Sequence, residues 1–128
     1  MNNIAKYIGC NEEDEFEYYF EINGQKVIVF NMFGEPNILV PGVYCSIKIN
    51  LFCVDECQIE PINEIKYGVE KADSSYYAYY LYGKLEDSKL DLNGFIVEDE
   101  VFTNYKQFEH NFVKVKVDRI DIRILEKQ

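Results

Sequence analysis

The stretch from Phe112 to Leu125, FVKVKVDRIDIRIL, constrains the fold more than any other part of the chain. Valines alternate with charged residues before Asp118-Arg119, and isoleucines alternate with charged residues after that pair. This period of two is typical of a β-strand with one buried face. The apolar residues change from odd to even positions at the pair, so we expect a β-bulge there, or a strand that bends and passes from one sheet to another. Val117 and Ile120 should therefore both be buried despite their opposite parity.

Two further stretches indicate antiparallel strands. Asn23-Gly24 separates two apolar runs and predicts a two-residue type I′ hairpin, in which Phe20 lies opposite Val27. Every odd residue from Val43 to Cys53 is apolar, and this strict alternation predicts a long, half-buried, curved strand.

These patterns predict an all-β protein with one short helix, arranged as a single antiparallel small barrel or a strongly bent sandwich of six to seven strands. The helix is expected over roughly residues 101–109, where Val101, Tyr105 and Phe108 fall near helical spacing after three carboxylates. A short edge strand is expected near residues 65–69. With 128 residues, the chain is expected to form one domain over residues 1–128.

The charge and hydropathy of the chain narrow the classes of partner. No apolar run approaches the ~20 residues that a membrane helix needs, and the N-terminus lacks a signal sequence, so we expect a cytoplasmic protein that does not contact membranes. The formal net charge of −10 opposes binding to phosphate backbones, which makes nucleic acid an unfavoured partner. The excess of Lys over Arg, with many Asn, Ile and Tyr, favours a bacterial or phage source.

The four cysteines are expected to be reduced thiols. A zinc site formed by Cys53 and Cys57 with Cys10 and His110 is the alternative, but a Cys-x3-Cys spacing without a second paired motif is a weak signal. We therefore expect neither a metal nor another cofactor.

Catalytic motifs are missing from the sequence. The chain has one histidine, no glycine-rich phosphate loop, no G-x-S-x-G sequence and no calcium-loop spacing. We expect no catalytic residues and a function that is not enzymatic.

The tyrosine-rich strand SYYAYYLYGKL provides the first hypothesis about function. Tyr77, Tyr79, Leu81 and Leu85 share the more apolar face and are expected to point inward. An exposed ladder on the other face, with carboxylates beside it, would suit a basic protein partner or a second copy of the chain, because charge would steer the encounter and tyrosine would supply rigid contact area. Inhibitors and immunity-type proteins are often of this size and charge. The residues of this candidate protein contact are Tyr76, Tyr80, Tyr82, Glu86 and Asp87.

Two alternatives remain open. A small curved barrel with an aromatic strand resembles the oligonucleotide-binding fold, which binds single strands or small ligands, and its basic contacts here would be Lys114, Lys116, Arg119 and Arg123. The phase change at Asp118-Arg119 would scatter these four residues. The second alternative is a structural homo-oligomer with no foreign partner.

Overall fold

The computed structural model describes residues 3–33 and 39–127, and strands dominate this part of the chain. The prediction of an all-β protein built on a small barrel is confirmed. No helix in the described residues is long and apolar enough to cross a membrane. The described strands are β1 (Asn3–Asn11), β2 (Asp14–Ile22), β3 (Gln25–Phe30), β4 (Tyr44–Phe52), β5 (Gln58–Pro61), β6 (Gly68–Lys71), β7 (Tyr79–Glu86), β8 (Lys89–Asp91), β9 (Ile96–Glu98), β10 (Phe112–Val117) and β11 (Arg119–Lys127).

Five strands close into a barrel in the order β1-β2-β3-β11-β4. The first three strands form consecutive hairpins, and β4 returns to pair with β1, which is the Greek-key order. The last strand, β11, closes the barrel between β3, to which it runs parallel, and β4, to which it runs antiparallel. A five-stranded Greek-key barrel is the architecture of the oligonucleotide-binding fold.

A second sheet is inserted between the last two barrel strands. Its order is β5-β10-β7-β8-β9, and β6 also pairs with β7. The central strand β7 pairs with β10 on one edge and with β6 and β8 on the other. The insertion therefore starts after β4 and ends where β11 begins.

Asp118 is the point at which the chain crosses from the second sheet into the barrel. Val117 ends β10 and Ile120 lies in β11, and each is 1% exposed. The predicted passage from one sheet to another is confirmed, and it explains the change of apolar phase. The Asp118 carboxylate accepts a hydrogen bond from the Val54 amide at 2.6 Å, and the Asp118 amide donates to the Phe52 carbonyl at 3.0 Å. These two hydrogen bonds join the segment that leaves β4 to the segment that enters β11.

The predicted hairpin forms with the predicted register. Phe20 lies opposite Val27, and both Asn23 and Gly24 have positive φ, of 54° and 77°, as a type I′ turn requires. The alternation predicted for β4 also places Cys45 on its buried face.

One hydrophobic cluster includes side chains from both sheets. Tyr79, which is 2% exposed, reaches from β7 to the barrel and accepts a hydrogen bond from the Ile28 amide at 2.9 Å. Val113 and Val115 on β10 and Ile120 and Ile122 on β11 are also buried. The barrel interior and the inner face of the second sheet therefore form one continuous apolar region.

The structure differs from the expected element list in four details. The described residues hold eleven strands instead of six or seven, and β3 and β11 form a parallel pair. Two 3-10 helices, Glu100–Asn104 and Lys106–Phe108, replace the single helix expected over 101–109. The edge strand begins at Gly68, and Ile65 is 79% exposed. Strands of three or four residues hold too few alternations for a periodic signal.

The prediction of four free thiols is wrong, because Cys53 and Cys57 form a disulfide while Cys10 and Cys45 remain thiols. The loop between β4 and β5 turns back sharply and brings the two Cα atoms to 5.3 Å, within the range that a disulfide spans. Sequence spacing alone does not reveal this reversal.

Candidate protein-interaction surfaces

The three tyrosines predicted to form an exposed ladder lie in different environments. Tyr76 precedes β7 in a turn and is 57% exposed, whereas Tyr80 is half-buried within the strand. Tyr82 is only 6% exposed, so its predicted exposure is wrong. Tyr77 also lies in the turn and is half-buried, instead of pointing into the core as expected.

Lysine side chains cover the rings of the two strand tyrosines. The Lys66 ammonium lies 3.8 Å from the centroid of the Tyr82 ring, and the Lys114 ammonium lies 4.3 Å from that of Tyr80. These cation–π contacts, together with the apolar stems of the lysines, bury the Tyr82 ring and cover part of the Tyr80 ring. Alternation within the strand could not predict this cover, because the lysines come from other segments of the chain.

Glu86 and Asp87 lie at the opposite end of β7 from Tyr76, so the five predicted contact residues do not form one surface. The eight residues of β7 span roughly 27 Å. Glu86 pairs with Lys84 at 3.1 Å and with His110 at 2.9 Å, and these hydrogen bonds hold the pKa of Glu86 below its ordinary value. Asp87 is exposed at the β7–β8 turn and borders a concavity of about 590 Å³.

The four predicted basic contacts divide into two pairs. Lys114 and Lys116 on β10 line a groove of about 500 Å³ together with Tyr80. Arg119 and Arg123 lie on the barrel, beyond the crossing point at Asp118. The structure therefore places Tyr80 with the lysines and leaves the arginines to form a separate surface.

An acidic surface forms where the β1–β2 turn meets the turn before β7. Glu12, Glu13 and Glu15 are exposed, and their carboxylates make no ion pair among the described residues. We call this the acidic tyrosine surface, and its members are Glu12, Glu13, Asp14, Glu15, Glu17, Tyr19, Tyr76 and Tyr77.

Glu17 organises the acidic tyrosine surface from beneath. It is 2% exposed, and its carboxylate accepts hydrogen bonds from Tyr76 at 3.0 Å, from Tyr77 at 2.9 Å and from Tyr19. Burial raises the pKa of Glu17, but the hydrogen bonds from Tyr19, Tyr77 and Tyr76 outweigh it and hold the pKa below its ordinary value. Burial and the bond to Glu17 raise the pKa of Tyr77 to about 12. The carboxylate therefore stays charged and fixes three phenol rings.

Lys71 fixes the same turn from its other side. Its ammonium donates hydrogen bonds to the backbone carbonyls of Ala72 at 2.8 Å, Ser75 at 2.5 Å and Ala78 at 2.8 Å. Burial lowers the pKa of Lys71. Tyr76 is thus presented by a turn that is held at both ends, so little ordering is needed before it contacts a partner.

The second surface lies on the outer wall of the barrel. The Arg119 guanidinium lies between two rings, 4.4 Å from the Phe30 centroid and 4.1 Å from that of Phe52. Asp121 accepts hydrogen bonds from Arg119 at 2.7 and 3.4 Å and fixes its orientation. We call this the arginine–phenylalanine surface, and its members are Phe30, Met32, Phe33, Lys48, Phe52, Arg119 and Arg123.

The arginine–phenylalanine surface combines exposed apolar groups with positive charge that is only partly compensated, because Asp121 pairs with Arg119 alone. Phe33 is 72% exposed and Met32 is 58% exposed, and the Arg123 guanidinium lies 4.9 Å from the Phe33 ring centroid. Arg123 faces Lys48 directly across the β11–β4 pair, and neither forms an ion pair among the described residues. Like charges directly opposite each other on two strands are destabilising, so this pair favours an external anionic group.

The two surfaces are contiguous, and Phe30 joins them. The Phe30 ring lies 5.5 Å from the Tyr77 ring on one side and contacts Arg119 on the other. Sequence reasoning missed this junction because it assigned faces strand by strand. The β2–β3 hairpin that the sequence predicted places Phe30 opposite Glu17, close to the acidic run, but the contact between Phe30 and Tyr77 depends on the insertion.

Comparison with known proteins identifies a family. A family model described as "Uncharacterised conserved protein UCP019853" matches residues 1–125. The chain belongs to this family. No curated protein and no solved structure matches the chain. The family description names no activity, so an argument about function depends on the geometry of the surfaces.

Proposed function

We propose that this chain is a non-enzymatic protein-interaction domain whose acidic tyrosine surface binds a basic protein surface. The observation that carries the proposal is the combination of exposed, unpaired carboxylates with Tyr76, which is hydrogen-bonded to the buried Glu17. A fixed aromatic side chain supplies contact area, and the unpaired charges beside it orient the approaching partner.

The electrostatics of the whole chain support the same partner class. A net charge of −10 speeds the approach of a basic partner, and the unpaired carboxylates of Glu12, Glu13 and Glu15 concentrate that field at one turn. Tyrosine is enriched at protein interfaces because it contributes a large area with few rotatable bonds. Within this proposal, we favour an inhibitor or immunity-type role.

The test begins with capture of proteins from a lysate of the native host and ends with a purified partner. The captured protein is identified, purified and titrated against the wild-type chain and against a variant carrying Glu12→Gln, Glu13→Gln and Tyr76→Ser. A matched control carries Glu60→Gln, Glu64→Gln and Tyr67→Ser, which change the same residue types at exposed positions elsewhere. We expect the surface variant to raise the Kd at least about tenfold, which corresponds to about 1.4 kcal/mol, and the control to leave it unchanged.

Two results would contradict this function. One is a purified partner that binds the surface variant and the wild type equally well while the variant remains folded by circular dichroism. The other is a partner with an acidic binding surface, because the unpaired carboxylates would then repel it.

The Lys114–Lys116 groove supports a second candidate, which is binding of a single-stranded nucleic acid or a small anionic ligand. Tyr80 lines the same groove as both lysines, so a base could stack on its ring while the ammonium groups contact phosphate. Glu56 and Glu60 also line this groove and oppose an anion. Fluorescence anisotropy with a labelled single-stranded oligonucleotide tests the nucleic-acid form of this candidate, and Lys116→Glu should then abolish binding. A wild-type chain that gives no signal at low salt would exclude nucleic acid.

A further inference from the structure

We propose that the basic surface recognised by the acidic tyrosine surface is the arginine–phenylalanine surface of a second copy of this chain, in a dimer with two-fold symmetry. This inference rests on the proposed function and names its partner. In this dimer the acidic tyrosine surface of each chain would contact the arginine–phenylalanine surface of the other.

The order of groups along the contiguous surface suits a contact between two copies. Unpaired carboxylates lie at one end, the rings of Tyr77 and Phe30 lie in the middle, and Arg119 and Arg123 lie at the other end. A rotation of 180° about an axis through the middle places each acidic end over an arginine end. Self-complementarity of this kind is what a two-fold interface requires.

The second argument is the unpaired charge at both ends. Glu12, Glu13 and Glu15 are neighbours of like sign without a cation, and Arg123 and Lys48 are cross-strand neighbours without a carboxylate. Each end is therefore destabilised in the monomer by repulsion between its own charges. Contact with the opposite end of a second copy removes both repulsions at once.

The third argument is the exposed apolar area beside the arginines. Met32, Phe33 and Phe52 are 58%, 72% and 38% exposed. Aromatic residues, Met and Arg are the side chains enriched in protein interfaces. Arg119 is already fixed between two rings and against Asp121, so it loses little conformational freedom on binding.

The net charge of the chain limits how the proposal can be tested. Two copies that each carry −10 repel at long range, while the contacting ends attract at short range, and added salt weakens both effects. A salt series therefore does not separate the two contributions. Exchange of charges between the two ends at a fixed salt concentration does separate them.

The experiment uses two charge-reversed chains and sedimentation velocity over a range of concentrations. One chain carries Glu12→Lys and Glu13→Lys, and the other carries Arg123→Glu and Lys48→Glu. Each reversed chain alone should repel its own copies at both contacts, and we expect a Kd at least about tenfold weaker than that of the wild type. An equimolar mixture should restore association, because every contact in the mixed dimer again joins opposite charges.

Matched controls change the charge of the chain equally but outside both surfaces. Glu60→Lys with Glu64→Lys serves the first chain, and Lys89→Glu with Lys106→Glu, at two exposed positions, serves the second. The controls should dimerise like the wild type, and their mixture should gain nothing. If a reversed chain is unfolded by circular dichroism, the neutral changes Glu12→Gln with Glu13→Gln, or Arg123→Gln with Lys48→Gln, replace it and should also weaken the dimer.

Three outcomes would overturn the inference: a wild-type chain that stays monomeric at all concentrations, reversed chains that dimerise as well as the wild type, or a mixture that does not recover association. A larger open assembly would exclude the two-fold arrangement. The proposed function fails separately, because its test measures the effect of the acidic surface on a foreign basic protein. A monomeric chain that still binds such a protein through Glu12, Glu13 and Tyr76 would refute the dimer and retain the function.

Discussion

The barrel and the inserted sheet are stabilised in different ways. Four of the five barrel strands have nine residues, and each contributes several apolar side chains to the core. Four strands of the inserted sheet have only three or four residues. This sheet depends more on individual contacts, such as the close approach of Gly83 to β8 and the bond from the Ile28 amide to Tyr79. Stability of the barrel should therefore be spread over many apolar residues, and that of the sheet should depend on a few.

The largest expected effect is in the barrel core. Ile122 is 2% exposed on β11, and Ile122→Ala should lower the free energy of unfolding by roughly 2 to 5 kcal/mol through lost burial and a residual cavity. Leu125→Ala, on the same strand but 47% exposed, is the control and should cost less than about 1 kcal/mol. Urea unfolding measures both changes, and equal losses would mean that the barrel interior is not the main source of stability.

Gly83→Ala tests the dependence of the inserted sheet on one close contact. A Cβ atom at Gly83 would lie 2.2 Å from the backbone oxygen of Asp91, which side-chain rotation cannot relieve. We expect a loss of roughly 3 kcal/mol in urea unfolding, at the upper end of the range for overpacking. Gly9→Ala in β1 is the matched control, because its Cβ would have no neighbour closer than 4.0 Å. A neutral Gly83→Ala would show that β8 is free to shift away from β7.

Removal of the disulfide tests the junction between the barrel and the inserted sheet. Replacing Cys53 and Cys57 together by Ala should lower the free energy of unfolding by roughly 2 kcal/mol, the value expected for closing so short a loop. Thiol titration of the denatured, non-reduced chain should count two groups, from Cys10 and Cys45. A count of four would mean that the bond does not form in the isolated protein.

Substitution of Glu17 tests the hydrogen bonds that join β2 of the barrel to the turn before β7. Glu17→Gln should cost roughly 1 to 3 kcal/mol at neutral pH, because tyrosine hydroxyls lose their charged acceptor. The folded-state pKa of Glu17 lies below its ordinary value of 4.5, so its contribution is present above pH 4.5 and is lost as the pH falls through the folded-state pKa.

Ionisation of Tyr77 removes its hydrogen bond to Glu17 at high pH. Its pKa is raised from 10.0 to about 12, so its contribution is complete below pH 10 and is lost as the pH rises towards 12. Unfolding of the wild type and of Glu17→Gln, measured across both windows, should show curves that converge at the acidic and alkaline ends. Parallel curves would remove titration of this pair as the cause.

The sequence predicted those parts of the fold that follow from strand periodicity. The hairpin at Asn23-Gly24, the buried face of β4 and the crossing at Asp118 all depend on alternation over six or more residues, or on a turn that requires positive φ. Short strands such as β8 and β9 carry no such pattern. The candidate surfaces were predicted less well, since Tyr82 is covered by Lys66 from another segment, and Glu17 meets Tyr76 across 59 residues of sequence.

The crossing at Asp118 also bears on how such a chain can change in evolution. Phe52 and Arg119 are direct neighbours across the β4–β11 pair, although the whole second sheet separates them in sequence. All five strands of the closed barrel lie outside residues 53–118. The barrel is therefore topologically complete without the insert, and a short hairpin turn could connect its last two strands. The length of the insert could therefore differ between related chains without a change in the strand order of the barrel.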